Sequence, residues 1–168
     1  MINKQRILIG ALTASLTFIG GIKGYEGFTS KPVIPTKGDV PTIGYGTTVY
    51  PNGKKVTLKD KPITRETAHY YLANHVNAID AELKKSLGNV KLTQNEFESY
   101  LDFAYQYGVP TFNKSSMHRL LKTDQYTKAC NAMLRYHYVA GRDCSVRKNN
   151  CYGVWTRQQA RVKKCLSS

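Results

Sequence analysis

The alternation of apolar and polar positions predicts a helix, then a small sheet, then a series of helices. Residues 7–22, ILIGALTASLTFIGGI, carry no charge and read as an apolar helix. The next stretch, GYEGFTSKPVIPTKGDVPTIGYGTT at 24–48, is rich in Gly, Pro and Thr and should turn repeatedly. Strand-like pieces flank Pro51-Asn52-Gly53 in TTVYPNGKKVTL, and Asn-Gly is a strong hairpin signal. With Gly44-Tyr45-Gly46 these pieces predict a small antiparallel sheet. From Thr64 the apolar positions Ala68, Tyr71, Leu72, His75, Ile79 and Leu83 recur at helical spacing. Thr93-Gln94-Asn95-Glu96 forms a capping box for a helix through Tyr107. Ser115 or Ser116 caps a short helix to Leu121, and Asp124 another reaching about Tyr138. Thr156-Arg157-Gln158-Gln159 reads as a second capping box opening a final helix. The expected class is α+β, mostly α, with no internal repeat and no low-complexity linker.

At 168 residues the chain can bury a core of its own. The uncharged run adds a second possibility at its N-terminal side, because Lys4 and Arg6 precede it. A basic flank before an apolar segment is what export machinery reads. No small-x-small cleavage site stands out, so residues 1–22 are expected to form an uncleaved signal anchor, with the remaining domain over 23–168. Sixteen helical residues span roughly 24 Å against a hydrocarbon core of about 30 Å, which makes a weak and reversible anchor. The alternative is an ordinary buried helix.

Charge narrows the partners. There are 25 Lys and Arg against 11 Asp and Glu, a net of +14. Residues 122–168 alone hold ten basic and two acidic side chains, a local balance of +8. Such a field favours an anionic membrane or wall polymer. Nucleic acid is not expected as a partner: zinc-finger spacing, RRM-like aromatics and a basic-zipper pattern are all missing from the sequence.

Four cysteines, Cys130, Cys144, Cys151 and Cys165, cluster without the paired CxxC spacing of a zinc site. An even, closely spaced set suggests disulfides formed in an oxidising compartment. Three pairings are open. The favoured one joins two predicted helices through Cys130 with Cys165 and closes a short loop through Cys144 with Cys151.

The chemistry narrows to carboxylates. The sequence has no HExxH, no Gly-rich phosphate loop and no G-x-S-x-G elbow, and no metal or cofactor is expected. His69, His75, His118 and His137 are scattered over predicted helices as surface or core residues. Glu66, Glu96 and Asp124 fit helix N-termini, while Asp80, Glu82 and Glu98 read as solvated helix charges. Asp60 and Asp143 read as loop residues, and Asp102 is open between a buried partner and an exposed charge. Glu26 stands apart, set among Gly24, Tyr25, Gly27 and Phe28 beside the apolar run. Partial burial there would keep it protonated, as a general acid requires. Asp39, beside Lys37 and turn amides, should stay ionised. Two carboxylates in contrasting settings are the arrangement that cleaves glycosidic bonds.

The same residues resemble the phage-type lysozymes, muramidase endolysins of glycoside hydrolase family 24. Glu26-Gly27 and Thr42-Ile43-Gly44-Tyr45-Gly46 match that family's E-G pair and TIGYG-like strand. TQNEFESYLDFAYQYG, TFNKSSMHRLL and GVWTRQQARVKKC match its later segments, so the resemblance covers roughly 23–166. It implies a lysozyme-like fold, with a small antiparallel sheet followed by a helical lobe. It also implies Glu26 as catalytic acid and Thr42 as the residue positioning water. The family pattern places eight residues between Glu and Asp and five before Thr; here Pro35 or Thr36 would fill that place. Asp39 is the available carboxylate and takes the second role, with Thr36 as the alternative.

The resemblance further implies hydrolysis of the β-1,4 bond between N-acetylmuramic acid and N-acetylglucosamine in peptidoglycan, leading to host lysis by a monomeric enzyme. The N-terminus is similar to signal-arrest-release anchors. That implies export to the host inner membrane through residues 7–22, later release into the periplasm, and a holin or pinholin as functional partner. Two other classes compete: a lytic transglycosylase, which needs only one acid, and a non-enzymatic cationic membrane- or wall-binding protein.

Overall fold

The computed structural model describes residues 5–36 and 38–167. Lys4 and Lys37, which entered the anchor and Asp39 arguments, lie outside the described residues. In chain order the elements are β1 (Ile7–Leu8), α1 (Leu16–Glu26), β2 (Thr29–Val33), β3 (Thr42–Gly44), α2 (Arg65–Leu87), β4 (Lys91–Leu92) and α3 (Gln94–Tyr107). There follow α4 (Val109–Lys114), α5 (Ser116–Leu121), α6 (Tyr126–Ala132), β5 (Tyr138–Val139), β6 (Arg142–Asp143) and α7 (Tyr152–Leu166). The chain divides into two compact units. Ala14–Asp80 makes one, while the residues up to Thr13 join those from Ala81 onward in the other.

This division overturns the anchor. Residues 7–22 are not one helix: Ile7–Leu8 is a strand paired with Lys91–Leu92, Ile9–Ala11 is a short 3-10 turn, and α1 starts only at Leu16. Ser15 breaks the run by capping α1, its hydroxyl accepting the Phe18 N–H at 3.1 Å. Five of the run's large apolar side chains are buried, Ile9 and Leu12 in one unit and Phe18, Ile19 and Ile22 in the other, while Ile7, Leu8 and Leu16 are exposed. Among the described residues no helix is long and apolar enough to cross a membrane. The expected membrane localisation through residues 7–22 is therefore not supported, and the alternative of one ordinary buried helix is not what forms either, since the run is divided among a strand, a 3-10 turn and the start of α1. Arg6, read as the flank of an anchor, instead forks onto the buried Glu96 carboxylate at 2.7 and 2.9 Å and lies 3.8 Å over the Tyr126 ring.

In the Ala14–Asp80 unit a two-stranded antiparallel ribbon pairs Thr29 with Gly44 and Val33 with Thr42, with an irregularity between them. The segment 47–58 forms isolated bridges, Ile43 with Thr47 and Val49 with Lys55, in place of full strands. A turn at Tyr50–Gly53 closes it, the Gly53 N–H donating to Tyr50 O at 2.9 Å with Gly53 at φ 83°.

The other unit is built around α3, whose Phe97, Tyr100, Leu101, Phe103 and Ala104 are fully buried. Its capping box is as expected: Thr93 Oγ1 accepts the Glu96 N–H at 3.1 Å, and Glu96 accepts the Thr93 N–H at 2.9 Å. Ser115 caps α5 by accepting the His118 N–H. Two disulfides form, Cys130–Cys165 joining α6 to α7 and Cys144–Cys151 closing a loop.

Four local expectations fail. Asp124 does not cap α6; it sits at φ 57° in the preceding turn and accepts the Tyr126 hydroxyl at 2.6 Å. That helix ends in a 3-10 turn at Arg135, because Tyr138–Val139 turns back onto Arg142–Asp143 through Ala140 and Gly141, both at positive φ. Nor does Thr156 open α7, which starts at Tyr152 directly after the Cys151 bridge; the Thr156 hydroxyl donates to Gly153 O inside the helix. Glu98 is no solvated charge but is 3 % exposed, held by Lys164 at 2.5 Å and Gln94 at 2.8 Å.

Candidate active site

Glu26 is the last residue of α1. Gly27, at φ 68°, ends the helix there, and its N–H still donates to Lys23 O at 3.2 Å. The chain then passes through Phe28 straight into β2. A carboxylate at a helix C-terminus faces the negative end of the helix dipole, so nothing about helix stability asks for an acid here.

What Glu26 faces is the end of the TIGYG segment. A Cβ placed on Gly46 would lie 3.1 Å from Glu26 Oε2, and Gly46 is at φ 79°. The bare backbone of Gly46 is what allows this approach. Gly44 is fixed on its other side: a Cβ there would meet Ala68 Cβ of α2 at 2.9 Å, with Gly44 at φ 67°. Phe28 and Tyr45 lie with ring centroids 5.5 Å apart, the Lys23 ammonium 5.6 Å from the Tyr45 ring and the Arg65 guanidinium 4.3 Å from the Phe28 ring. The Ile63 N–H donates to Ser30 O at 2.8 Å, which ties the entry of α2 to β2.

Burial does not set the environment of Glu26, contrary to the sequence expectation. The side chain is exposed, as are its neighbours Tyr25 and Gly27. The aromatic residues on which that expectation rested have other roles, since Phe28 and Tyr45 pair with each other.

The ribbon register places the remaining candidates. Thr42 opens β3 opposite Val33, its hydroxyl donating to Val33 O at 3.4 Å. Thr36 and Asp39 both lie beyond that pair, exposed in the connection between β2 and β3. They form the two ends of one β-turn: the Asp39 N–H donates to Thr36 O at 2.9 Å, with Gly38 at φ 95°. So the structure joins Glu26 to Gly46, Thr42 to β2, and Asp39 to Thr36. The part of Gly46 in the site was missed from sequence, although its place after the TIGY strand was the available signal.

A second polar cluster lies in the same unit. Asp60 accepts the Thr57 N–H at 2.9 Å, the Thr57 hydroxyl at 2.8 Å and the Tyr50 hydroxyl at 2.8 Å. These bonds hold its carboxyl below the usual range, the Thr57 amide contributing most. Burial, with the Asp60 bond adding to it, pushes the Tyr50 hydroxyl up to about 12. Among the described residues no group of three or more His, Cys, Asp or Glu could hold a metal ion.

Fold and site together define a lysozyme-type chain: the family model described as Phage lysozyme matches residues 23–161, and the chain belongs to that family. Among solved structures it is similar to the endolysin from Escherichia coli O157:H7 phage FAHEc1, at 26 % identity and a TM-score of 0.78, over 94 % of this chain and 95 % of that one. It is also similar to the endolysin of Bacillus phage PZA, 31 % identical over 123 residues, and to that of Bacillus phage B103, 28 % identical over 126. Each of these matches covers 72 % of this chain but only 45 % and 44 % of the respective relative, so the chain spans less than half the length of either.

Proposed function

We propose that the chain is a peptidoglycan-lysing endolysin, a glycoside hydrolase of family 24 that cleaves the β-1,4 bond between N-acetylmuramic acid and N-acetylglucosamine. The observation that carries this reading is the approach of the Glu26 carboxyl to the bare backbone of Gly46, within a segment that the family match covers. Glu26 acts as the acid: it gives its proton to the leaving glycosidic oxygen as the bond to the muramic acid C1 breaks. Water adds at C1, with Thr42 orienting it and Asp39 taking its proton; Thr36, at the other end of the same turn, is the alternative to Asp39. The net charge of +14 keeps the enzyme on an anionic wall.

The test is digestion of purified peptidoglycan by Glu26→Gln, Asp39→Asn, Thr36→Val and Thr42→Ala beside the parent, with mass spectrometry of the products. Hydrolysis gives a reducing muramic acid, heavier by one water than the 1,6-anhydro end left by a lytic transglycosylase. Anhydro products would overturn the hydrolase reading. Full lytic activity in Glu26→Gln would overturn the enzymatic one and leave a cationic wall-binding protein.

A further inference from the structure

The hairpin of α5 and α6 encloses a groove of about 590 Å³ that the active-site reading does not use. Its size falls within the roughly 300–1,000 Å³ of small-molecule sites. One side comes from Ser116, Arg119 and Leu120 of α5 and from Thr123 in the turn that follows it. The other side comes from Gln125, which precedes α6, from Lys128 and Asn131 of α6, and from Arg135 in the 3-10 turn that follows it.

The charges here are one-sided. Three cations line the groove and no Asp or Glu does. The one carboxylate between 116 and 135, Asp124, is engaged by the Tyr126 hydroxyl. Neighbouring cations are used elsewhere in the fold: Lys122 donates to Leu87 O at 2.7 Å, and Arg6 is forked on Glu96. The Arg119 and Arg135 guanidinium groups, by contrast, have no hydrogen-bond or ion-pair partner among the described residues. Both arginines are exposed, so their charges face the solvent that fills the groove.

At the turn end of the groove, Gln125 Nε2 donates to Thr123 Oγ1 at 2.9 Å, and Lys128 Nζ donates to Gln125 Oε1 at 2.9 Å. Asn131 and Ser116 supply neutral donors and acceptors, while Leu120 and Ala132 supply an apolar floor.

We propose that this groove binds a phosphorylated sugar. Guanidinium forks suit a phosphate bidentately, amide and hydroxyl groups suit sugar hydroxyls, and the apolar floor suits a pyranose face. The site is non-catalytic. Its setting, the phosphorylated glycans of a bacterial envelope, rests on the muramidase reading; the binding itself does not.

The test titrates the full chain with N-acetylglucosamine 1-phosphate at low ionic strength and follows backbone amide resonances. Neutral N-acetylglucosamine and inorganic phosphate serve as separate arms. Saturable shifts confined to 116–135 are expected with the phosphosugar, weaker ones with phosphate, and none there with the neutral sugar. Arg119→Gln/Arg135→Gln should bind about tenfold more weakly or worse, while cleaving purified peptidoglycan at the parent's rate. Added salt should weaken the parent's binding. No binding by the parent, equal binding by the double variant, or shifts elsewhere would overturn the proposal. Phosphate binding as tightly as the phosphosugar would overturn the sugar half of it. Glu26→Gln should bind like the parent, so loss of the muramidase reading and loss of this one are read separately.

Discussion

The two disulfides close loops of very different length, and this sets their relative value. Cys130–Cys165 spans 35 residues and Cys144–Cys151 spans 7. Loop-closure entropy removed from the unfolded chain scales with the logarithm of that length. It gives about 3.8 kcal/mol for the long loop and about 2.4 kcal/mol for the short one. Cys130 and Cys165 are also fully buried where α6 meets α7, with the Tyr100 hydroxyl 3.6 Å from each sulfur, so removing the sulfurs adds a packing loss to the long-loop figure. For a chain of this size each kcal/mol moves the melting temperature by about 2–4 °C, so Cys130→Ala/Cys165→Ala should melt about 8–15 °C below the parent. Cys144→Ala/Cys151→Ala should fall by about 5–10 °C. Calorimetry without reductant measures both, and reduction of the parent separates the cross-link from the cavity. Equal drops, or a larger one for the short loop, would refute the reasoning.

Glu26→Gln should lower wall cleavage by about 10²–10⁴-fold, the range of a lost general acid. Gly44→Ala should cost about 1–3 kcal/mol by urea denaturation, because it needs φ 67° and drives a Cβ onto Ala68. Asp102 is partly buried against Arg157, at 2.7 Å, and Arg161; desolvation pushes its carboxyl up, but the two guanidinium charges and their bonds outweigh this and hold it below its ordinary value of 3.8. A lowered folded-state pKa gives stability that is complete above the unfolded value and is lost as pH falls through the folded one. Acid unfolding should therefore steepen below about pH 4, and less so in Asp102→Asn, which should itself cost about 3–5 kcal/mol at neutral pH.

Local grammar was legible in the sequence, and long-range pairing was not. The Thr93–Glu96 box could be read because both partners sit within one turn of helix. That Glu96 also holds Arg6, 90 positions away, could not, and so Arg6 was assigned to a membrane flank. Glu98 looked solvated because Lys164, its partner, is 66 residues distant. The β5–β6 hairpin escaped because its turn uses Ala140 at φ 48°, where Asn or Gly would have signalled it. Thr156 satisfied a capping pattern that the Cys151 bridge pre-empted by starting α7 earlier. At the site, the Glu26-Gly27 end of α1 and the TIGYG strand were legible from type and spacing. The exposure of Glu26 was not, because it depends on which rings Phe28 and Tyr45 choose as neighbours.

The pairing of Ile7 with Leu92 imposes an order in time as well as in space. During synthesis Ile7 is made 85 residues before its partner, a wait of about 4–17 s at 5–20 residues per second. The residues Ala14–Asp80 are all synthesised in the interval, whereas the opening segment has neither Leu92 nor Glu96 to receive it. The opening strand of the helical unit thus waits unpaired until β4 and the start of α3 exist. A chain truncated before Leu92 should therefore leave Ile7–Leu12 open to protease, whereas the full chain protects it.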